Sequence, residues 1–218
     1  MGGHRSLLVA APMRLEALAL RGAVPGARVL HTGMGPRRAQ AATAALLAPP
    51  GEWSLAVAGL CGGLDPGLEP GDVVVASEVR GPAGPDGIDG TVDCPSAGLL
   101  AAALQRRGLR PRIGPVASAD HVVQGAERAR LLATGAVAVD MESAWIAAAA
   151  RGGTPFAVLR VVLDAPGSEL KRVGLAAAAV RALRTLRRAA PALADWSAAN
   201  ATTMHSASGN AMSPEEVD

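Results

Sequence analysis

Two acids fall where apolar runs end. Glu142 stands in Asp140-Met141-Glu142-Ser143, directly after the short run 136–139, and Asp164 closes the run 156–163. In an open α/β sheet, ligands lie outside the carboxyl ends of the strands, so carboxylates delivered to that edge are candidate site residues able to reach one crevice. A plainer reading stands beside this one: Asp140 and Glu142 favour a helix N-terminus through the helix dipole, and Asp164 opens a turn.

Other chemistry-bearing residues follow strand candidates in the same way. After the run 6–10 come Pro12-Met13-Arg14 and Glu16, which a loop opening into a helix would place at the same sheet edge. After 27–31 comes Thr32-Gly33-Met34-Gly35-Pro36-Arg37, a Gly-rich turn whose backbone N–H groups either face an anion or serve only the turn. Three spaced glycines of the dinucleotide fingerprint are missing, which disfavours a nicotinamide-dependent oxidoreductase. Around Cys61, Gly59, Gly62 and Gly63 allow a backbone or a ligand to approach closely. Cys61 reads as a small buried side chain rather than a nucleophile, since no basic neighbour in sequence would lower its pKa. His121 follows another strand end and reads as a structural histidine or a ligand contact.

The elements that must position these residues alternate. Strands are expected over 6–10, 27–31, 54–58, 72–76, 112–118, 136–139 and 156–163, with helices over 15–21, 37–47, 96–108, 125–134, 143–150 and 173–190. The run 156–163 is apolar on both faces apart from Arg160, the mark of a buried, parallel strand. Gly152-Gly153 ends the helix before it, and 81–94, rich in Gly, Pro and Asp, reads as a surface loop and a flap over the site. Arg181, Arg184 and Arg188 share one helix face, read as solvated.

At 218 residues, half of them apolar, the chain supports one domain, and the absence of Tyr with a single Phe predicts an aliphatic core. The folded unit is expected over 1–196, with a disordered tail over 197–218. No apolar run reaches the ~20 residues needed to span a bilayer, and no signal-peptide pattern is present, so a cytoplasmic protein is expected. A net charge of +2 with scattered arginines excludes a nucleic-acid stripe, and two cysteines exclude a disulfide scaffold or a structural zinc site.

Four landmarks in order resemble one superfamily: Thr32-Gly33-Met34-Gly35 before an alanine-rich helix, Gly62-Gly63-Leu64 with Pro70-Gly71-Asp72, Asp140-Met141-Glu142, and Arg160 followed by Asp164. Over roughly 6–186 the chain is similar to the nucleoside phosphorylases and nucleosidases, which include purine nucleoside phosphorylases and methylthioadenosine/S-adenosylhomocysteine nucleosidases. Gly63-Leu64-Asp65-Pro66 and Met141-Glu142-Ser143 most resemble the phosphorylase-like branch associated with hopanoid biosynthesis, thought to release adenine from adenosylhopane. The resemblance implies a three-layer α/β/α domain around a mixed, partly barrel-like twisted sheet. It also implies a homo-oligomer acting on a purine nucleoside with a bulky 5′ substituent, peripheral to the membrane if that substituent is a lipid tail. Neither metal nor organic cofactor is implied.

Cleaving a ribose–purine bond passes through an oxocarbenium-like state, so the sugar must be held, the leaving base protonated and a nucleophile positioned. By resemblance, Glu142 binds the ribose hydroxyls above Met141, and Asp164 serves N7 of the purine. Gly62, Cys61, Val122 and Val123 complete the substrate contacts. The nucleophile is divided: Arg14, with Gly33 and Arg37, argues for inorganic phosphate as co-substrate, whereas Glu16 stands where nucleosidases place the acid that activates water. Val57 and Leu60 occupy places where phosphorylases carry an arginine and a serine, so Arg37 or Arg80 would have to compensate. Leu163 replaces the serine or threonine often found before the acid. The alternatives are a methylthioadenosine/S-adenosylhomocysteine-type nucleosidase and a non-catalytic nucleoside-binding protein on the same fold.

Overall fold

The five residues Leu7–Ala11 are all buried, as a strand with neighbours on both sides must be. A computed structural model describes residues 5–47, 53–82, 90–148, 154–166 and 174–209. Strand β1 (Ser6–Ala11) pairs in parallel with β2 (Ala27–His31) and with β3 (Trp53–Gly63). The helices that follow β1 and β2 are α1 (Arg14–Leu20) and α2 (Pro36–Leu47). This half of the molecule matches the expected alternation.

The other half closes on itself. After β3 come β4 (Val73–Arg80), β5 (Thr91–Asp93), α3 (Ala97–Arg106), β6 (Arg112–Ser118), α4 (Ala126–Ala133), β7 (Ala138–Asp140), α5 (Ser143–Ala147) and β8 (Phe156–Asp164). β8 lies parallel to β3 and antiparallel to β4, β4 lies parallel to β6, β6 parallel to β7, and β7 antiparallel to β3. The ring β3-β8-β4-β6-β7 is a small mixed barrel, with β1 and β2 fanning from β3 and β5 from β4. Closure leaves these five strands few free edges.

Closure also alters the expected geometry of the two acids. The unit 136–164 is not a parallel βαβ crossover, because β7 opposes β3 whereas β8 follows it. The acids still approach one another. β7 runs back along β3, with Val139 opposite Gly62, while β8 reaches Gly62 from the other side at Asp164. β3 is twice as long as its apolar core 54–58 suggests, because its glycine-rich end, 59–63, is strand and not turn. The segment expected as a flap contains β5, and 83–89 lies outside the described residues, as do Gly152 and Gly153.

Helices flank the barrel: α1 and α6 (Leu175–Ala189) pack together, α2 meets α5, and α3 meets α7 (Pro191–Gly209). The core is aliphatic apart from Phe156, Trp145 and Trp196. Trp196 is fully buried and donates its indole N–H to Ser96 Oγ at 2.8 Å, anchoring α7 on the start of α3. A helix already nucleated by that anchor is spared the cost of nucleation, so it extends through the small residues that follow. The chain is therefore helical through Gly209 where a disordered tail was expected from 197, and 210–218 lies outside the described residues. No helix among the described residues is long and apolar enough to cross a membrane.

Apolar packing is close where β6 faces the segment entering β7. A methyl group at Gly114 would lie 2.7 and 2.9 Å from the two γ-carbons of Val137. Gly114→Ala is expected to lower stability by about 1–3 kcal/mol, and Val137→Ala in the same chain to recover part of that loss. Urea unfolding of the two variants checks it: equal midpoints for Gly114→Ala and the native chain would contradict the tight fit.

Candidate active site

The end of β3 has no side chains at Gly59, Gly62 and Gly63, and at the first two the space is filled by charged groups from other elements. A methyl at Gly59 would lie 2.6 Å from Glu16 Oε1 and 2.8 Å from Arg160 Nη1. One at Gly62 would lie 3.1 Å from Arg128 and 3.2 Å from Asp164 Oδ1. Close approach was the expected use of these glycines, and the approaching groups are the protein's own site residues.

Arg160, on β8 opposite Gly59, is completely buried. Its Nε and Nη2 donate to Asp140 Oδ2 at 2.9 and 2.8 Å, and Nη2 also donates to Ser143 Oγ at 3.0 Å. Asp140 Oδ1 accepts the backbone N–H groups of Glu142 and Ser143, each at 3.1 Å, and the Ser118 hydroxyl at 2.6 Å. Asp140 thus opens α5 and neutralises Arg160 at once. This turns the chain so that Glu142 faces inward, with Oε2 3.8 Å from Arg160 and Oε1 accepting from Gly35 N at 3.4 Å.

Glu16 comes from α1. Its Oε2 accepts the Met13 N–H at 2.7 Å, closing the first helical turn, and its Oε1 accepts the Leu60 N–H at 2.7 Å, tying α1 to β3. Burial raises its pKa, opposed by Arg160 and by these two N–H groups. Burial likewise pushes Glu142 up from near 4.5 to about 7, with Arg160 opposing the rise and Asp140 adding to it. One guanidinium among three acids cannot keep all of them readily ionised.

Asp164 is aimed by an irregularity in the β3–β8 ladder. The register skips Leu163, so that Cys61 pairs with Val162 and Gly62 with Asp164. A one-residue shift turns the following side chain to the other face of the sheet. There, Asp164 Oδ2 accepts from Arg128 Nη1 at 2.5 Å.

A cavity of about 250 Å3 brings together Glu16, Cys61, Gly62, Val122, Val123, Met141, Glu142 and Asp164 from the expected site. His121 also lines it, half-exposed and bonded to Asp120 Oδ1 and Glu127 Oε2, two contacts that raise its pKa. Cys61 is buried and its thiol pushed well up by desolvation, in keeping with a packing role.

The expected phosphate contacts are different. Arg14, Gly33 and Arg37 do not line this cavity, and both arginines are exposed. Arg80 is committed to Glu78 and to the Thr134 carbonyl. Among the described residues the arginine that lines it is Arg128, which sequence reasoning missed, as it missed Ser118 and the central place of Arg160. A signal existed for Arg128. It stands three and four residues before Leu131 and Leu132, on the half-buried face of α4, where a charge needs a buried partner.

The Glu142 shift has a thermodynamic consequence. Between pH 4.5 and about 7 the folded chain holds a proton that the unfolded chain has lost, so this group lowers stability as pH rises across that window. The full effect is on the order of 3 kcal/mol. Glu142→Gln is expected to raise Tm relative to the native chain by several degrees at pH 8 and to lose that advantage by pH 4.5. Paired calorimetric scans check it, and an advantage unchanged by pH would contradict it.

The fold matches a mutant of Helicobacter pylori 5′-methylthioadenosine/S-adenosylhomocysteine nucleosidase with 5′-methylthioadenosine in its active site, with a TM-score of 0.76 and 18% identity over 89% of this chain and 99% of that one. Futalosine hydrolase of the same organism gives 0.75 and 17% over 88% and 98%. The Neisseria meningitidis nucleosidase in complex with methylthio-immucillin-A gives 0.71 and 21% over 88% and 99%. No curated protein sequence matches the chain. Residues 20–194 match the family model described as Phosphorylase superfamily, a stretch covering most of the barrel and its helices, and the chain belongs to that superfamily.

Proposed function

We propose that the protein cleaves the N-glycosidic bond of an adenine nucleoside with a bulky 5′ substituent, using water as the nucleophile. The observation that carries this reading is the convergence of Glu16, Glu142 and Asp164 on one cavity from which Arg14, Gly33 and Arg37 are absent. Each acid has a separable task. Glu142 accepts hydrogen bonds from the ribose hydroxyls, with Met141 against the sugar. Asp164 delivers a proton to N7 as the C1′–N9 bond breaks, so that the bond's electron pair leaves on a neutral base, and exchange with solvent returns to Asp164 the proton that Glu16 takes from water. Glu16 orients water and accepts its proton as oxygen bonds to C1′. Its raised pKa makes it a stronger base than an exposed glutamate.

The scheme calls for no metal or organic cofactor. At about 250 Å3 the cavity lies below the roughly 300–1,000 Å3 of drug-sized pockets, which suits a nucleoside and sends the 5′ substituent out of the mouth. Met34 and Val122, 60% and 55% exposed, offer apolar surface there. Adenosylhopane is the finer substrate we propose, on the resemblance of 63–66 and 141–143 to the hopanoid-associated branch. Phosphorolysis is the competing chemistry.

The test is adenine release from a panel of 5′-substituted adenosines, including adenosylhopane and 5′-methylthioadenosine, with and without phosphate. Free ribose product independent of phosphate is expected, and a ribose 1-phosphate product would replace water by phosphate. Asp164→Asn is expected to lower kcat by about 10²–10⁴. Full turnover by that variant would remove Asp164 from the reaction, and stable binding without release of base would make the protein a binder.

A further inference from the structure

Arg128 is 5% exposed, and its guanidinium donates to the junction that presents Asp164. Nη1 donates to Asp164 Oδ2 at 2.5 Å. Nη2 donates to the Gly63 carbonyl at 2.6 Å and to the Asp164 carbonyl at 3.3 Å. These acceptors lie at the ends of β3 and β8, just past the skipped residue Leu163. Nε is buried and has no hydrogen-bond partner among the described residues. Arg128 also lines the cavity wall, on the helix that follows Val122 and Val123.

We infer that Arg128 is a positioning residue for Asp164. Its planar fork holds Oδ2 and the backbone beneath it, which fixes the carboxylate plane and leaves Oδ1, beside Gly62, to face a bound base. A carboxylate beside a glycine would otherwise swing about two side-chain torsions, and misplacement by about 1 Å costs on the order of 100-fold in rate. A purely architectural arginine would need only the two carbonyls. The contact to Oδ2 ties it to the reacting edge of the ligand. The inference rests on the role given to Asp164 above.

The experiment compares Arg128→Met, Arg128→Lys, Asp164→Asn and the double variant Arg128→Met/Asp164→Asn, with adenine release from 5′-methylthioadenosine and from the best substrate of the panel as readout. Arg128→Met is expected to lower kcat about 10- to 100-fold with KM within threefold, as befits orientation of a group used in the transition state. Arg128→Lys, which keeps the charge without the fork, should recover no more than a part of this. In the Asp164→Asn background, Arg128→Met should cost less than threefold, because the group it orients has lost its function.

Tm of each variant is recorded alongside, and the double variant, with no buried unpaired charge at the pair, keeps the comparison open if Arg128→Met unfolds. Native-like kcat in Arg128→Met would overturn the inference, as would losses that multiply in the double variant or that appear in KM alone. Full activity of Asp164→Asn would instead strike at the function proposed for the site, so the two failures are distinguishable.

Discussion

The fully buried Arg160–Asp140 pair is the constraint on which the rest depends. Burying two charges costs several kcal/mol per ion unless their hydrogen-bonding capacity is filled, and here it is filled from five elements. Asp140 ends β7, Ser118 ends β6, Ser143 begins α5, Leu60 belongs to β3 and Arg160 itself to β8. The barrel closes around this network. Having satisfied Asp140 twice, Arg160 has only residual attraction to offer Glu142 and Glu16, and burial dominates both. The structural pair therefore also sets how readily the neighbouring acids hold protons.

Two backbone features convert that network into a cavity. The absence of a side chain at Gly59 leaves room for Glu16 and Arg160 to approach the same point beside β3, and the skipped pairing at Leu163 turns Asp164 toward Gly62. Both economise on space in a chain whose core is mostly Ala, Val and Leu. Small side chains bring strands and helices close together, so functional groups from β1–α1, β7–α5 and β8 reach a common point without long loops.

Much of this was legible from sequence. The strand ends at 140 and 164 were readable because the apolar runs stop there, and Glu16 because it opens a helix after a buried run. The glycines at 59–63 advertised close approach. Strand direction was not readable, since whether β7 follows or opposes β3 is decided by barrel closure and leaves no local mark. Arg128 resembled a surface residue of the segment Ala126–Ala133, and only its phase relative to Leu131 and Leu132 betrayed it. Arg14, Gly33 and Arg37 suggested an anion site through the resemblance of the 12–14 loop and through the Gly-rich turn, and the cavity forms without them. The helix beyond Trp196 was missed because composition ranked polar small residues as tail, whereas a single buried indole anchors the segment.

A carboxyl group poised near neutrality has a calorimetric signature. If a ligand's hydroxyls hydrogen-bond to Glu142 in its ionised form, complex formation at pH 7 must expel part of a proton into solution. The heat absorbed or released would then depend on which buffer takes up that proton: phosphate and Tris would report different apparent enthalpies for the same association. The difference between them would count the protons displaced.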